Sequence, residues 1–206
     1  MDSQHYFSGA PSGPDRRRQL RTILAGQERE LVTSGGIFSP DGIDKGTAIL
    51  LSAVPPATGS NLLDIGSGWG PLALTMALQA PQARVVAIDV NERSLELTRE
   101  NARRLDLANV AAMLPDDVNP DVSFDTIWSN PPIRIGKEAL HELLLRWLPR
   151  LAHGGTAWLV VQKNLGADSL QRWLAAELPP DYDVGRTTTA KSFRILRIAR
   201  QHPKAL

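Results

Sequence analysis

The stretch Asn61–Pro71, which reads N-L-L-D-I-G-S-G-W-G-P, decides the fold of this chain. Its first residues, Asn61–Ile65, form a short apolar run that holds one acid, Asp64. Three glycines follow at alternate positions, and after Pro71 an apolar helical pattern continues to Ala80. This order predicts a strand, a tight glycine loop and a helix, with the loop N–H groups and the helix N-terminus facing a polar ligand.

Two kinds of nucleotide site use such a loop, and their glycine spacings differ. A dinucleotide site has the pattern G-x-G-x-x-G, which would need Gly or Ala where this chain has Pro71. The spacing here is D-x-G-x-G-x-G, from Asp64 through Gly66, Gly68 and Gly70. An ordinary glycine-rich turn without a ligand is the plain structural alternative.

The D-x-G-x-G-x-G spacing resembles the first motif of the class I S-adenosylmethionine-dependent methyltransferases. In that family the loop passes under the methionine part of the cofactor, and the first acid fixes the loop and the amino-acid end. The resemblance therefore implies S-adenosylmethionine as the cofactor. The residues of this stretch that it places at the cofactor are Asp64, Gly66, Ser67, Gly68, Trp69 and Gly70.

Composition narrows the class of protein. A chain of 206 residues with 42% hydrophobic and 22% charged residues is typical of one globular domain. Because there is no cysteine, disulfides, thiolate catalysis and cysteine-based zinc sites are excluded. The four histidines are scattered without ligand spacing, so we expect no metal. The polar N-terminus and the lack of a long apolar run favour a soluble cytoplasmic protein without a membrane partner.

Positive charge is concentrated in two stretches, although the net charge is only +1. The segment 184–206 contains no acid, and its cations are Arg186, Lys191, Arg194, Arg197, Arg200 and Lys204. A second cluster near the start comprises Arg16, Arg17, Arg18 and Arg21. These side chains could contact phosphates, or they could simply be solvated strand faces and a terminal tail.

The sequence predicts two parts: an N-terminal arm and hairpin, 1–34, and an S-adenosylmethionine-dependent methyltransferase domain, 35–206, which contains the glycine loop. Residues 1–15 are rich in Ser, Gly and Pro and are interpreted as a loose arm. Weak alternation in Arg16–Thr33 around Gly26 predicts a β-hairpin.

Strands and helices alternate through the rest of the chain. Besides Asn61–Ile65, the predicted strands are Ala83–Val90, Asn109–Leu114, Phe124–Ser129, Thr156–Gln162, Tyr182–Ala190 and Ser192–Arg200. The predicted helices are Ala48–Val54, Pro71–Ala80, one capped by Asn91, Lys137–His153, and one from an Asp168 cap to Leu178. This order predicts an α/β, Rossmann-like, doubly wound seven-stranded sheet with ligands at the carboxyl ends of its strands. The methyltransferase resemblance implies that the terminal strand is antiparallel.

Acids follow two of the predicted strands. Asp89 stands 19 residues after Gly70 at the tip of the second strand, where a carboxylate can accept ribose hydroxyls. Nicotinamide sites also have an acid at this position. Asp89 and the adjoining Val90 therefore indicate that a nucleoside binds, but they do not distinguish between the two cofactors. In the methyltransferase pattern a polar residue after the third strand meets the adenine amine. The candidates there are Asp117 first and Asp116 second, with Val118 beside them; the alternative is a surface turn.

The stretch Asn130-Pro131-Pro132-Ile133 follows the fourth predicted strand. Two prolines remove backbone donors, and Asn130 adds a side-chain carbonyl, so the turn offers fixed acceptors that suit a planar –NH₂ group. Hydrogen bonds to both N–H groups can orient the nitrogen lone pair and stabilise the positive charge that develops on methylation. A proline turn ended by an asparagine cap is the alternative interpretation.

The longer stretch Asn130–Lys137, N-P-P-I-R-I-G-K, resembles the N-P-P-I-H-A-G-K of small-subunit ribosomal RNA guanine-N2-methyltransferases, in the "methyltransferase small domain" group. Gly36–Ser39 and Asp44–Thr47 are similar to the G-V-F-S and L-D-x-G-T motifs of that group. The resemblance implies methylation of guanine N2 in ribosomal RNA, with the RNA or the small subunit as partner. It implies catalytic roles for Asn130, Pro131, Pro132 and Ile133, and further cofactor contacts from Gly46, Thr47 and Asn130.

The chain differs from that group in three respects, and one of them bears on the choice of acceptor. Relatives often carry two tandem copies of the domain, whereas this chain has room for one. Ile133 stands where methyltransferases of adenine or glutamine usually have Tyr or Phe, and Arg134 replaces a histidine. Methylation of another amine (adenine in nucleic acid, a protein glutamine or a small molecule) is the first alternative. A silent RNA-binding module and a nicotinamide oxidoreductase are the others; the intact loop disfavours the former and Pro71 the latter.

Overall fold

The computed structural model describes residues 14–190 and 192–203. Its strands are β1 Arg17–Leu24, β2 Gln27–Ser34, β3 Asn61–Ile65, β4 Arg84–Ile88, β5 Val110–Met113, β6 Phe124–Ser129, β7 Leu151–Gln162, β8 Tyr182–Ala190 and β9 Phe193–Arg200. Its α-helices are α1 Lys45–Ala53, α2 Pro71–Gln79, α3 Glu92–Arg104, α4 Lys137–Trp147 and α5 Ala167–Glu177. Most of the predicted arm, as well as Lys191 and Lys204 of the basic segment, lies outside the described residues.

The predicted hairpin is confirmed. β1 and β2 pair in antiparallel register around a two-residue turn, Ala25-Gly26, in which both residues have positive φ, 49° and 78°. Such a turn twists in the same sense as the strands that it joins. The side chains of Leu24, Leu31 and Val32 in the hairpin are buried in a cluster with residues of α2 and α3. The hairpin is therefore packed onto the main domain.

The main sheet has seven strands in the order β5-β4-β3-β6-β7-β9-β8. All the pairs from β5 to β7 are parallel, whereas β9 is antiparallel to both β7 and β8. The predicted fold class, including the antiparallel terminal strand, is thus confirmed. The strand order reverses between β3 and β6, and the ligands of open α/β sheets bind at the carboxyl ends of the strands at such a point.

Helices cover both faces of this sheet. α1, α2 and α3 contribute to one apolar core, and α4 and α5 to the other. Because side chains alternate along a strand, Leu62 faces the first core whereas Leu63 and Ile65 face the second. Asp64 accordingly points to the side of α2, which places its carboxylate beneath the glycine loop. None of the helices in the described part of the chain is long and apolar enough to cross a membrane.

The structure corrects one predicted helix and one predicted strand. α4 ends at Trp147 instead of His153, and a 3₁₀ turn containing Pro149 leads directly into β7. A proline cannot continue the helical hydrogen bonds, although Leu148 and Leu151 keep the helical spacing and are buried. Gly154, with φ of +82°, then lies where the register of β7 against β6 shifts, so this glycine marks an irregularity inside a strand.

The predicted cap of α5 is also wrong. Gly166 stands at the N-cap position, and Asp168 lies in the first turn of the helix. The Asp168 carboxylate instead pairs with Arg186 at 3.4 Å and Arg194 at 3.5 Å. Asp168 therefore forms ion pairs with arginines of β8 and β9 and does not cap α5.

Candidate active site

A cleft opens at the carboxyl ends of β3 and β6, where the strand order reverses. It encloses about 350 Å³, part of it open to solvent. Four segments meet there: the loop after the hairpin, the N-terminus of α1, the glycine loop, and the turn after β6. The residues that line it are Phe38, Ser39, Asp44, Thr47, Gly66, Ser67, Gly68, Trp69, Pro71, Leu72 and Asn130.

The glycine loop is held by the neighbouring strand. The N–H groups of Gly66 and Ser67 both donate to the carbonyl of Ile88 in β4 at 2.9 Å. Gly70 has φ of +100°, and a Cβ at this position would lie 3.1 Å from the side chain of Thr98 in α3. A side chain is therefore excluded at Gly70 by both conformation and space. The Thr98 hydroxyl also donates to the carbonyl of Gly68 at 3.0 Å, which fixes the loop from below.

Asp64 connects the end of β3 to the start of α2. Its Oδ2 accepts a hydrogen bond from the N–H of Ala73 at 3.0 Å, whereas its Oδ1 has no partner among the described residues. Burial raises the pKa of Asp64 to about 8; the Ala73 hydrogen bond opposes this rise and the nearby Asp89 adds to it. The buried hydroxyl of Ser67 has no partner in the described part either. These two polar atoms beside the cleft fit the amino-acid end of S-adenosylmethionine, which carries donors and acceptors.

Asp89 stands just after β4 and holds the loop from the side. One carboxylate oxygen accepts the N–H of Gly68 and the other that of Asn91, both at 2.9 Å. Ser94 donates to the same carboxylate, and burial raises the pKa of Asp89 against these hydrogen bonds. The N–H of Val90 also donates to this carboxylate, so a ribose hydroxyl would share an oxygen that already accepts a hydrogen bond. Asn91 caps α3 by accepting the N–H of Arg93, as the sequence predicted.

Asn130 is oriented by the start of α1. Its Nδ2 donates to Asp44 Oδ2 at 2.9 Å and to Thr47 Oγ1 at 3.1 Å. The same Asp44 oxygen accepts the N–H groups of Gly46 and Thr47, which makes it the cap of α1. Because both amide hydrogens of Asn130 are engaged, its side-chain oxygen is turned away from Asp44 and accepts no hydrogen bond from the described residues.

The two prolines form a compact turn after Asn130. The carbonyl of Pro131 accepts the N–H of Ile133 at 2.8 Å, and that of Pro132 accepts the N–H of Ile135 at 3.1 Å. Each carbonyl is therefore half engaged within the turn and retains one lone pair. Pro132 lies beside the glycine loop, since a Cβ on Gly66 would be in van der Waals contact with its Cδ, at 4.0 Å. The acceptor turn and the cofactor loop thus face each other.

The predicted cofactor residues after β4 and β5 do not line this cleft. Asp116 and Asp117 form an exposed 3₁₀ turn after β5, and Asp116 pairs with Arg146 at 2.7 Å. The side chain of Val118 is buried in the second core, so only its backbone could meet a ligand. Val90 is 43% exposed next to Asp89. A cofactor reaching all of them would extend over the ends of β3, β4 and β5.

Two tryptophans serve mainly as packing. Trp69 borders the cleft, but its ring is buried beneath the hairpin and its Nε1 donates to the carbonyl of Ser39 at 3.2 Å. Trp128 is buried in the first core.

Sequence reasoning gave no role to Asp44, Ser94 or Thr98. Asp44 had a local signal, because an aspartate just before an apolar helical run is typical of a helix cap. Ser94 and Thr98 had none beyond their place on the inner face of α3, although the partner of Ser94, Asp89, lies only five residues earlier; the partner of Thr98, Gly68, is 30 residues away. Among the described residues, His, Asp and Glu side chains form no group of three that could hold a metal ion.

Curated relatives resemble this chain to different extents. An uncharacterized protein, YbxB of Bacillus subtilis, is 33% identical over 171 residues, which are 81% of this chain and 85% of that protein. The ribosomal RNA small subunit methyltransferase C of Klebsiella pneumoniae is 35% identical over 139 residues, 65% of this chain and 40% of that protein. The chain thus spans less than half of the length of this named relative.

Solved structures share the fold at low sequence identity. The Thermus thermophilus 16S rRNA N2 G1207 methyltransferase (RsmC), solved in complex with AdoMet and guanosine, matches 92% of this chain and 52% of its own with a TM-score of 0.73 and 22% identity. A ribosomal protein L11 methylase from Lactobacillus delbrueckii subsp. bulgaricus matches 76% of this chain and 77% of its own, with a TM-score of 0.59 and 24% identity.

The family comparison covers most of the chain. The family described as Methyltransferase small domain matches residues 28–196. This match confirms the methyltransferase resemblance on which the sequence analysis rested, together with S-adenosylmethionine as the cofactor. The glycine loop, the acids at the carboxyl ends of β3 and β4 and the Asn-Pro-Pro turn therefore lie in a chain that belongs to the methyltransferase small-domain family.

Proposed function

We propose that this protein transfers a methyl group from S-adenosylmethionine to the exocyclic N2 amine of guanine in small-subunit ribosomal RNA. The observation that carries the proposal is the orientation of Asn130. Its amide hydrogens are held by Asp44 and Thr47, which leaves its oxygen as a fixed acceptor at the cleft. An amine that enters there meets an acceptor that is already oriented, so little reorganisation is needed in the transition state.

The cofactor side is assigned to the acids and the glycine loop. Asp64 and the hydroxyl of Ser67 would hold the methionine end, and Asp89 the ribose hydroxyls. Asp117, with Asp116 as second choice, would accept the adenine amine, while Val90 and the backbone of Val118 would border the adenine ring. Gly46 and Thr47 would act through the position of Asn130, because a Cβ on Gly46 would lie 3.3 Å from Asn130 Nδ2.

For methylation of an exocyclic amine, orienting the nitrogen lone pair matters more than removing a proton from the nitrogen with a strong base. The lone pair of an exocyclic amine is delocalised into the ring, so the free amine is a poor nucleophile. The Asn130 oxygen and the remaining lone pair of the Pro131 carbonyl would accept its two N–H groups and direct the lone pair at the methyl. S-adenosylmethionine supplies this methyl on a sulfonium, so that the N–C bond forms as the S–C bond breaks. The nitrogen becomes acidic only after alkylation, and water can then remove the proton.

Guanine in ribosomal RNA is supported by the relatives. The Klebsiella pneumoniae relative, 35% identical over 139 residues, is named as a small-subunit rRNA methyltransferase. The Thermus thermophilus structure, with a TM-score of 0.73, is a 16S rRNA methyltransferase. Ile133 in place of an aromatic residue disfavours adenine and glutamine as acceptors. The intact cofactor loop, with its acids in hydrogen-bonded positions, disfavours a silent RNA-binding module.

The test is methyl transfer from labelled S-adenosylmethionine to unmodified rRNA and to small ribosomal subunits, followed by nucleoside digestion and mass analysis. We expect label in N2-methylguanosine. Label in another nucleoside, or none with cofactor binding intact, would reject guanine N2 and direct the search to another amine.

A further inference from the structure

A second cleft lies on the other side of the Asn-Pro-Pro turn. It encloses about 680 Å³, part of it open to solvent, between the turn, α4 and α5. Asn130 borders the first cleft and Ile133 borders the second, so four residues of one turn form the wall between them. We call the second cleft the α4–α5 groove; the lining residues used below are Ile133, Lys137, His141, Leu165 and Trp173.

The α4–α5 groove is lined by a stacked aromatic pair, His141 and Trp173. The rings of His141 and Trp173 stack with centroids 3.4 Å apart and planes inclined by 12°. Both side chains are only partly buried, and Leu165 at the rim is 42% exposed. Partly exposed aromatic rings are the common platform for nucleobases, because every base has a π-face that can stack on them.

The groove also has positive charge that nothing in the described part of the chain neutralises. Lys137 borders it, Arg134 follows Ile133, and Lys163 stands two residues before Leu165. These three exposed cations form no ion pair with the described residues. Burial lowers the pKa of His141, and the nearby Lys137 lowers it further. One acid, Glu177, lies close enough to oppose this decrease.

The two basic stretches of the sequence behave differently. The arginines there that are ion-paired within the chain are Arg17, Arg18, Arg21, Arg186, Arg194, Arg197 and Arg200. Paired cations attract phosphates less, since an acid already lies beside each of them. Arg16, in the first of these stretches, also forms no ion pair with the described residues, so the combination of unpaired cations with a stacked aromatic pair distinguishes the α4–α5 groove.

We propose that the α4–α5 groove binds a nucleotide adjacent to the methylated guanosine in single-stranded RNA. The base would stack on the His141–Trp173 platform, and its phosphates would lie near Lys137 and Lys163. The inference rests on the proposed function, because a strand that places its guanine against Asn130 must continue past the same turn. The flat rings and the unpaired cations favour RNA over a protein as occupant.

The test is fluorescence anisotropy with a labelled, guanine-containing oligoribonucleotide and three variants. Trp173→Leu should weaken binding about five- to a hundredfold, as expected for the loss of one stacked base. Lys137→Ala combined with Lys163→Ala should reduce the slope of log affinity against log salt by about 1.4. Arg103→Ala, which removes an exposed, unpaired cation of α3 on the opposite face of the sheet, should change neither. Unchanged S-adenosylmethionine affinity in all three variants would show that the fold is intact.

The outcomes separate the groove from the proposed function. Groove-dependent RNA binding without methylation of guanine by the wild type would support the groove and reject the acceptor. Normal methylation of rRNA by the wild type, with wild-type RNA affinity in both groove variants, would overturn the groove and leave the acceptor. Unchanged RNA affinity with weaker binding of Trp173→Leu to assembled subunits would overturn it in favour of a ribosomal-protein contact.

Discussion

Asp44 Oδ2 lies 2.9 Å from Asn130 Nδ2, although the two residues are 86 positions apart in the chain. The same oxygen caps α1, so the position of the helix and the orientation of the amide are set by one carboxylate. A carboxylate can only accept hydrogen bonds, so it must face the –NH₂ of Asn130 and not its oxygen. Asp44 thus fixes the orientation of the Asn130 amide, which makes it a positioning residue for the proposed acceptor site.

Asp44→Asn should lower turnover while leaving cofactor affinity nearly unchanged. An asparagine cap still serves α1, but the charge-assisted contact with Asn130 is lost, which corresponds to about 1.5–3 kcal/mol. Steady-state kinetics should show roughly a ten- to hundredfold lower kcat. Asp41→Asn is the matched control, because Asp41 lies in the same loop and pairs only with the exposed Arg18. Equal turnover in the two variants would remove Asp44 from this role.

Asn130→Ala should reduce turnover by about 10²–10³, because a preorganised acceptor for the amine is lost. Isothermal titration with S-adenosylmethionine should give nearly the wild-type affinity, since the proposed function assigns the polar contacts with the cofactor to Asp64, Ser67, Asp89 and Asp117. A fully active Asn130→Ala protein would exclude Asn130 from the mechanism.

Asp89→Ala should weaken cofactor binding about ten- to a hundredfold, because its hydrogen bonds to ribose are charge-assisted and worth about 1.5–3 kcal/mol. Burial raises the pKa of this carboxyl, so wild-type affinity should also fall as the pH is lowered through that raised pKa. Calorimetry across pH checks both statements. An affinity unaffected by the substitution would contradict the ribose role.

Asp117→Ala and Asp116→Ala form a matched pair for the adenine contact. Both acids are exposed in the same turn, but only Asp116 is ion-paired, with Arg146. Loss of one hydrogen bond to the adenine amine should weaken S-adenosylmethionine binding by up to about tenfold in the Asp117 variant. The Asp116 variant should bind like the wild type. The reverse order of the two affinities would favour the second choice, and no effect in either would indicate a surface turn.

Asp64→Asn should change how the stability of the cofactor-free protein depends on pH. The Asp64 carboxyl has a pKa of about 8 in the folded chain, above the value of about 4 in an unfolded chain. Because its pKa is higher in the folded chain, the protonated Asp64 adds to the free energy of unfolding. This contribution is complete below pH 4 and is lost as the pH rises to about 8. Urea unfolding of both proteins at several pH values should show the wild type losing up to about 1.4 kcal/mol per pH unit relative to the variant in this window. Parallel stability curves would contradict the buried, protonated Asp64.

Local sequence predicted most elements because their signals lie within a few residues. The hairpin turn at Ala25-Gly26 and the strand–loop–helix around Gly66 depend on short-range spacing and backbone preference. The exception is instructive: Leu148 and Leu151 satisfy a helical period, yet Pro149 ends α4 and Leu151 belongs to β7. An apolar position is buried equally well in a helix or in a strand, so periodicity alone could not decide between them.

Short-range motifs in the sequence indicated a methyltransferase: a glycine loop between two acids, and an Asn-Pro-Pro turn for which an amine acceptor is proposed. The orientation of the Asn130 amide and the pairing of charged side chains depended on the tertiary structure. The Asp44–Asn130 contact joins a loop before α1 to the end of β6, and the ion pairs of Asp168 join α5 to β8 and β9. Hydrogen bonds and ion pairs act over a few ångströms in space, whereas sequence patterns report neighbours along the chain. The partners of these side chains therefore became known only when the sheet and its helices brought the distant segments together.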